Sequence, residues 1–343
     1  MNTYLIASMR ENAGKTSFII GLAAAQRKKY GYLKPFGDRL IYQRKKNWDY
    51  DANLIIKLWG LDEEPESVTM GFNHAKLRYV HDEEGVRRVI GGMVEKASAV
   101  REGMIIEGGR DICYGASVFL DSLTIACCIG AEVIIVVSGE PDAMLDDVHF
   151  IRKYFNLSGC GLKGVVFNKV RDPEDFKETH MKSIAALDIP VLGVIPYEEK
   201  LTHFSMHYLA DALFAKVLGG EKGLDNIVKH FFVGATSTEA CMRNPVFGRE
   251  GKLIITSGDR DDMILAALES ESAGIVLTNN IIPPSKIIAQ AAEQGVPLLL
   301  VAHDTFQAAK QIERLEALIT AADTGKIAIL ADLIGKNVSI KNF

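Results

Sequence analysis

The 343-residue chain has no apolar run near the roughly 18 to 20 residues that span a bilayer, which excludes an obvious membrane helix. Its N-terminus lacks the charged-then-apolar pattern of a signal peptide, and the expectation is a cytoplasmic protein. It has no excess of positive charge: the formal net charge is −5, so nothing in the composition asks for nucleic acid as a partner. Five cysteines form no C-x-x-C pair, which fits reduced thiols better than disulfides or a zinc site. The closest histidine pair, His203 and His207, lacks the Glu of a zinc motif.

What the sequence does have begins at once. An apolar run, Tyr4 to Ala7, leads into Ser8-Met9-Arg10-Glu11-Asn12-Ala13-Gly14-Lys15-Thr16, and helical spacing through Phe18, Leu22 and Ala25 follows. Strand, loop, Gly-Lys-Thr and helix in that order is the context of a phosphate-binding loop, although the first glycine of G-x-x-x-x-G-K-[ST] is absent. In this reading the backbone around Asn12, Ala13, Gly14 and Ser17 faces the phosphates of a nucleotide. The Lys15 ammonium sits on the outer phosphates, and the Thr16 hydroxyl ligates Mg²⁺. A solvated lysine at an ordinary helix start is the competing explanation.

Further signals lie at strand ends. Gly31 to Lys34 is a short extended run stopped by Pro35, and Lys34 either adds charge to the phosphate site or is a surface lysine beside a turn. Asp49 and Asp51 suit hydrated Mg²⁺ or a helix N-cap. Gly103 to Glu107 is a buried strand that ends in an acid and two glycines, so Glu107 emerges where open α/β sheets bind ligands. Apolar strands at 132–138, 162–169 and 189–196 alternate with helical patterns, which means a parallel sheet covered by helices on both faces. Asn168 can both donate to and accept from an adenine edge.

After Gly219-Gly220-Glu221-Lys222-Gly223 the α/β pattern restarts, so the expected division is 1–218 and 224–343, with 204–218 as a helix closing the first domain. In the second part polar residues collect at strand ends: Gly258, Asp259, Arg260 and Asp262, then Thr278. Asp259 and Asp262 serve either a ligand or the next helix start.

Ser8 to Thr16, Lys34-Pro35, Glu107-Gly108-Gly109, Gly164 to Asn168 and Leu192 to Pro196 together resemble the dethiobiotin synthetase-like P-loop fold. That fold is shared with the cobyrinic acid a,c-diamide synthases and the N-terminal region of long phosphotransacetylases. Gly258-Asp259-Arg260 resembles the signature of the DRTGG domain, which follows the P-loop domain in those phosphotransacetylases. The resemblance implies ATP and Mg²⁺ as cofactors, with Lys15 and Thr16 on the phosphates and Asp51 and Glu107 helping Thr16 hold the metal. It also implies an adenine pocket at Asn168 and Pro196, and catalytic roles for Lys15, Lys34 and Glu107 if a phosphoryl group is transferred.

No acyltransferase or amidotransferase half is expected in the chain. The leading expectation is a nucleotide- or metabolite-sensing regulator: a homodimer with a small-metabolite ligand and a partner enzyme. The alternative is an ATP-dependent ligase or weak ATPase acting on a small carboxylate or amine.

Overall fold

The computed structural model describes residues 2–43, 45–99, 101–155 and 160–339. The chain divides into two units, Met1–Glu198 with Ile319–Phe343, and Glu199–Leu318.

The first unit is built on β1 (Asn2–Ser8), β2 (Tyr30–Leu33), β5 (Gly103–Glu107), β6 (Glu132–Val137), β7 (Gly161–Val170) and β8 (Val191–Pro196), with a hairpin of β3 (Leu40–Gln43) and β4 (Lys46–Asp49) beside them. The six main strands form one parallel sheet in the order β2-β5-β1-β6-β7-β8. Their near-continuous apolar sequences are explained by burial: Leu5, Ile6, Ile105, Ile106, Ile134 and Val166 are wholly inaccessible. With β1 in the middle, Ile6 pairs with Glu107 on one side and Ser8 with Val136 on the other.

Helix α1 (Lys15–Gln26) follows and is buried almost all round. One reason is the helix Thr324–Asn337, which packs along it: a Cβ on Gly21 would stand 2.6 Å from Ile334 Cγ1 and 2.8 Å from the Leu330 carbonyl oxygen. Only glycine lets the two helices approach so closely. Ser339 N–H then donates to the Leu192 carbonyl at 2.9 Å, and Val338 bridges Gly193, so this segment finishes on β8.

The second unit has a five-stranded sheet in the spatial order Lys216–Gly219, Leu298–Leu300, Ser272–Thr278, Lys252–Ser257 and His230–Val233. The first strand is antiparallel to its neighbour and the others are parallel. Helices Asp261–Glu269 and Ser285–Gln294 connect its successive parallel strands, and Thr305–Glu313 follows the last of them.

The division drawn from sequence at 218 and 224 is therefore corrected. Residues 204–218 do not form one closing helix: the helix stops at Ala212, and Lys216–Gly219 is an edge strand of the second sheet. Met206, Leu209 and Leu213 pack with Leu253, Ile255 and Val276 in the second unit's core. The glycine-rich break is a turn inside that unit, and the helix Thr324–Asn337 belongs to the first. Among the described residues no helix is long and apolar enough to cross a membrane.

Candidate functional site

Between β1 and α1 the loop turns through two left-handed residues, Asn12 at φ 58° and Gly14 at φ 93°. Gly14 is doubly constrained, since a Cβ there would lie 2.4 Å from Nδ2 of Asn168. The end of β7 straps the loop: Asn168 Nδ2 donates to the Ala13 carbonyl at 2.8 Å, and Lys169 Nζ donates to the Asn12 carbonyl at 2.7 Å. The first helical bond of α1 runs from Phe18 N–H to the Gly14 carbonyl at 2.9 Å. The N–H groups of Lys15, Thr16 and Ser17 precede it, and a helix start leaves such groups without an intrahelical acceptor. The helix dipole favours an anion there.

Lys15 is 7% exposed, and its Nζ donates to Ser8 Oγ at 2.9 Å and to the Arg110 carbonyl at 3.0 Å. Burial pulls its pKa below the usual lysine value, with the Glu107 carboxylate opposing. Glu107, at the end of β5, accepts hydrogen bonds from Thr16 Oγ1 and from the Tyr32 hydroxyl, each at 2.7 Å. Burial pushes the Glu107 carboxyl up to about 7, against the pull of Lys34 and Lys15. Burial, and then the Glu107 charge, raise the Tyr32 phenol well above its ordinary value.

A second cluster adjoins the first. Lys34, 1% exposed, places Nζ 2.6 Å from Asp38 Oδ1, 2.6 Å from Asp51 Oδ2 and 3.3 Å from Asp49 Oδ1. Burial works against its charge, but Asp51 and Asp49 outweigh it and hold the ammonium well above the ordinary lysine value. Asp49 is the N-cap of helix α2 (Tyr50–Trp59), accepting from Ala52 N–H at 3.1 Å, and it also accepts from the N–H groups of Asp38 and Arg39. Burial resists the charge on Asp51, yet Lys34 and Arg39 lower its pKa on balance. Arg39 joins the two clusters: Nη1 stands 3.4 Å from Asp51 Oδ1, and Nη2 donates to Asn12 Oδ1 at 2.8 Å.

Asp38, Asp49 and Asp51 offer oxygens within 4.8 Å of one another, a spacing that suits a cation. The Lys34 ammonium already stands among them. Its bonds to Asp38 and Asp51 and its short contact with Asp49 supply the positive charge that spot favours.

The expected residues thus gather at the carboxyl ends of the parallel strands. Pro196 closes β8 opposite Val170, one strand over from Asn168. In the structure Asn168 binds the loop backbone through Nδ2, and Asp51 faces Lys34 and Arg39. Sequence reasoning placed the Asn168-Lys169 pair where a purine base would sit, and gave no role to Tyr32, Asp38 or Arg39. Only Tyr32 had a legible signal, since it shares the strand face of Lys34 at i, i+2.

In the second unit Gly258, Asp259 and Arg260 follow the strand Lys252–Ser257, whose end pairs with Thr278. Asp259 is exposed, whereas Arg260 bonds Asp262 Oδ1 at 3.1 Å and the Thr236 carbonyl at 3.0 Å. Hydrogen bonds from Arg260 and then Thr238 pull the Asp262 carboxyl down to about 2. Asp262 lies in the first turn of the helix whose N-cap is Arg260. Thr278 is fully buried, its hydroxyl 3.3 Å from the Thr256 carbonyl and 2.9 Å from Thr305 Oγ1.

The AAA domain family model matches residues 2–205, and the DRTGG domain model matches residues 208–315. The phosphate acetyltransferase of Pseudomonas aeruginosa is 24% identical over 99% of this chain, which covers 51% of that protein. The chain spans about half the length of the curated relatives it matches. Cobyrinic acid a,c-diamide synthase from Mycobacterium smegmatis, solved with a bound ATP analogue and magnesium, aligns at 13% identity over 58% of this chain and 88% of its own, with a TM-score of 0.37. The CBS and DRTGG domains of the Clostridium perfringens pyrophosphatase regulatory region, complexed with the activator diadenosine tetraphosphate, align at 22% identity over 36% of this chain and 50% of that one, with a TM-score of 0.30. The chain belongs to the AAA domain family over residues 2–205, and a DRTGG domain follows at residues 208–315.

Proposed function

We propose that this protein binds ATP with Mg²⁺ at the β1–α1 loop and acts as a nucleotide- or metabolite-sensing regulator. The observation that carries the reading is Lys15: a buried ammonium held by two neutral oxygens, Ser8 Oγ and the Arg110 carbonyl, at the start of a helix. A phosphate oxygen is a stronger, charged acceptor and would draw Nζ from these partners.

The donor set fits the cofactor. Lys15 and the N–H groups of the α1 start would hold phosphate oxygens, and the Thr16 hydroxyl and Glu107 carboxylate, already 2.7 Å apart, would hold the cation. Bound Mg²⁺ would neutralise phosphate charge. The left-handed Gly14, braced by Asn168, keeps the loop open for that approach. Asn168 and Pro196, at neighbouring strand ends, would flank the adenine. Asp51 would serve the metal through its place beside Lys34 and Arg39.

Lys34 favours sensing over the ligase alternative, because its charge is committed to three carboxylates and not offered to a substrate. The DRTGG unit would take the small-metabolite ligand around Gly258, Asp259, Arg260, Asp262 and Thr278. It would also support a homodimer whose association with a partner enzyme answers to the ligand. Such coupling requires the ligand to prefer one conformation.

The test is calorimetric titration of ATP with and without Mg²⁺, followed by phosphate release from the same sample. Mg²⁺-dependent binding with phosphate release at the buffer rate is expected. Absence of binding would overturn the assignment, and release accelerated by a small carboxylate or amine would establish the ligase instead.

A further inference from the structure

The five cysteines are free thiols, but two of them are not isolated. Cys127 lies in the last turn of the helix Ser122–Ile129, which Gly130 ends in a left-handed cap. β6 then starts at Glu132, whose register partner is Gly161, the first residue of β7. That pairing brings Cys160, the residue before β7, level with the end of the helix. The two sulfurs stand 2.7 Å apart, both half-buried. The adjacent Cys128 is turned elsewhere, its Sγ 3.9 Å from the Arg87 carbonyl. The backbone pairing and the helix end, and not side-chain reach alone, therefore select this one pair.

We propose that Cys127 and Cys160 are an oxidisable dithiol, which a hydroperoxide converts to a disulfide linking the end of the helix Ser122–Ile129 to the start of β7. In the first step the Cys127 sulfur attacks the terminal peroxide oxygen, and its thiol proton passes to the departing alkoxide or hydroxide. The O–O bond breaks, an S–OH group forms on Cys127, and an alcohol or water leaves. In the second step the Cys160 sulfur attacks the Cys127 sulfur. The S–S bond forms, and hydroxide leaves with the Cys160 proton as water. Each sulfur gives up one electron, and the peroxide oxygens accept the two.

The order of attack follows from the pair's own chemistry. Burial, then the hydrogen bond and charge of Cys127, push the Cys160 thiol up to about 12, so Cys160 keeps its proton until the second step. The sulfurs need approach by less than about 1 Å to reach the S–S bond length of about 2.05 Å. The link encloses β6 and the helix Pro141–Tyr154, including Asp147, whose carboxylate pairs with Arg10 of the nucleotide loop.

The experiment uses the full chain, treated with hydrogen peroxide, blocked with iodoacetamide and mapped by mass spectrometry. Alkylation is expected to be lost at Cys127 and Cys160 together, with their peptides joined within one molecule and alkylation restored by dithiothreitol. In Cys160→Ser, dimedone should trap the S–OH group on Cys127; in Cys127→Ser, Cys160 should stay alkylatable. Continued alkylation of both cysteines in the wild-type chain overturns the proposal, as does pairing of either with Cys128 or with a second molecule. The wild-type map decides the matter even if a variant folds poorly.

Discussion

Lys34 Nζ stands 2.6 Å from Asp51 Oδ2, a contact between residues 17 apart in sequence and almost wholly out of water. Asp38 and Asp49 complete the enclosure. Removing the ammonium leaves three carboxylates in low dielectric, with the Arg39 guanidinium 3.4 Å from Asp51 as the near cation that answers them. Lys34→Met should cost about 3 to 5 kcal/mol in urea unfolding at neutral pH. The loss should shrink in acid as the carboxylates protonate, and adding Asp51→Asn should recover part of it. A Lys34→Met chain as stable as wild type would show that the enclosure contributes nothing.

Lys15 carries the opposite expectation. It is buried against its preference and held by neutral oxygens, so Lys15→Ala should leave the unliganded protein at least as stable on heating. ATP affinity should fall by about 100-fold or more, the loss of a charge-assisted phosphate contact. Calorimetry of the two proteins side by side checks both halves.

Gly14→Ala attacks the same loop through its backbone. The residue sits at φ 93°, and the new methyl would press on Asn168, which bonds the Ala13 carbonyl. A cost of about 1 to 3 kcal/mol is expected. ATP binding should weaken as the strap is displaced. An unchanged melting temperature together with unchanged ATP affinity would show that the loop tolerates the side chain.

Glu107 predicts a pH dependence. Its folded pKa, about 7, lies above the ordinary carboxylate value, so the folded state holds this proton more tightly than the unfolded state does. The resulting stabilisation is complete below the unfolded value and is lost as pH rises through about 7. Between those limits the slope should approach about 1.4 kcal/mol per pH unit. Glu107→Gln should abolish this part of the dependence, as measured by urea titrations across the range.

Expression of fragments tests the division of the chain. Residues 199–318 should unfold cooperatively by circular dichroism. A fragment of 224–343 should not, because it lacks Met206, Leu209, Leu213 and the edge strand Lys216–Gly219.

What the sequence determined by itself was local and periodic. The apolar runs ending at Ser8, Glu107 and Asn168, and the Gly-Lys-Thr opening a helix, fix strands, loop and helix start, because side-chain alternation and backbone allowances act over a few residues. The carboxyl-edge location of the site followed from the parallel sheet those runs imply.

Only the tertiary structure decided which charges meet. Lys34, Asp38, Asp49 and Asp51 come together because β2 and the β4–α2 junction fold toward each other. Residues 216–219 joined the second sheet and the helix Thr324–Asn337 joined α1 because their apolar faces found partners far along the chain. Periodicity reveals that a face must be buried, but what covers it is settled by packing between segments remote in sequence.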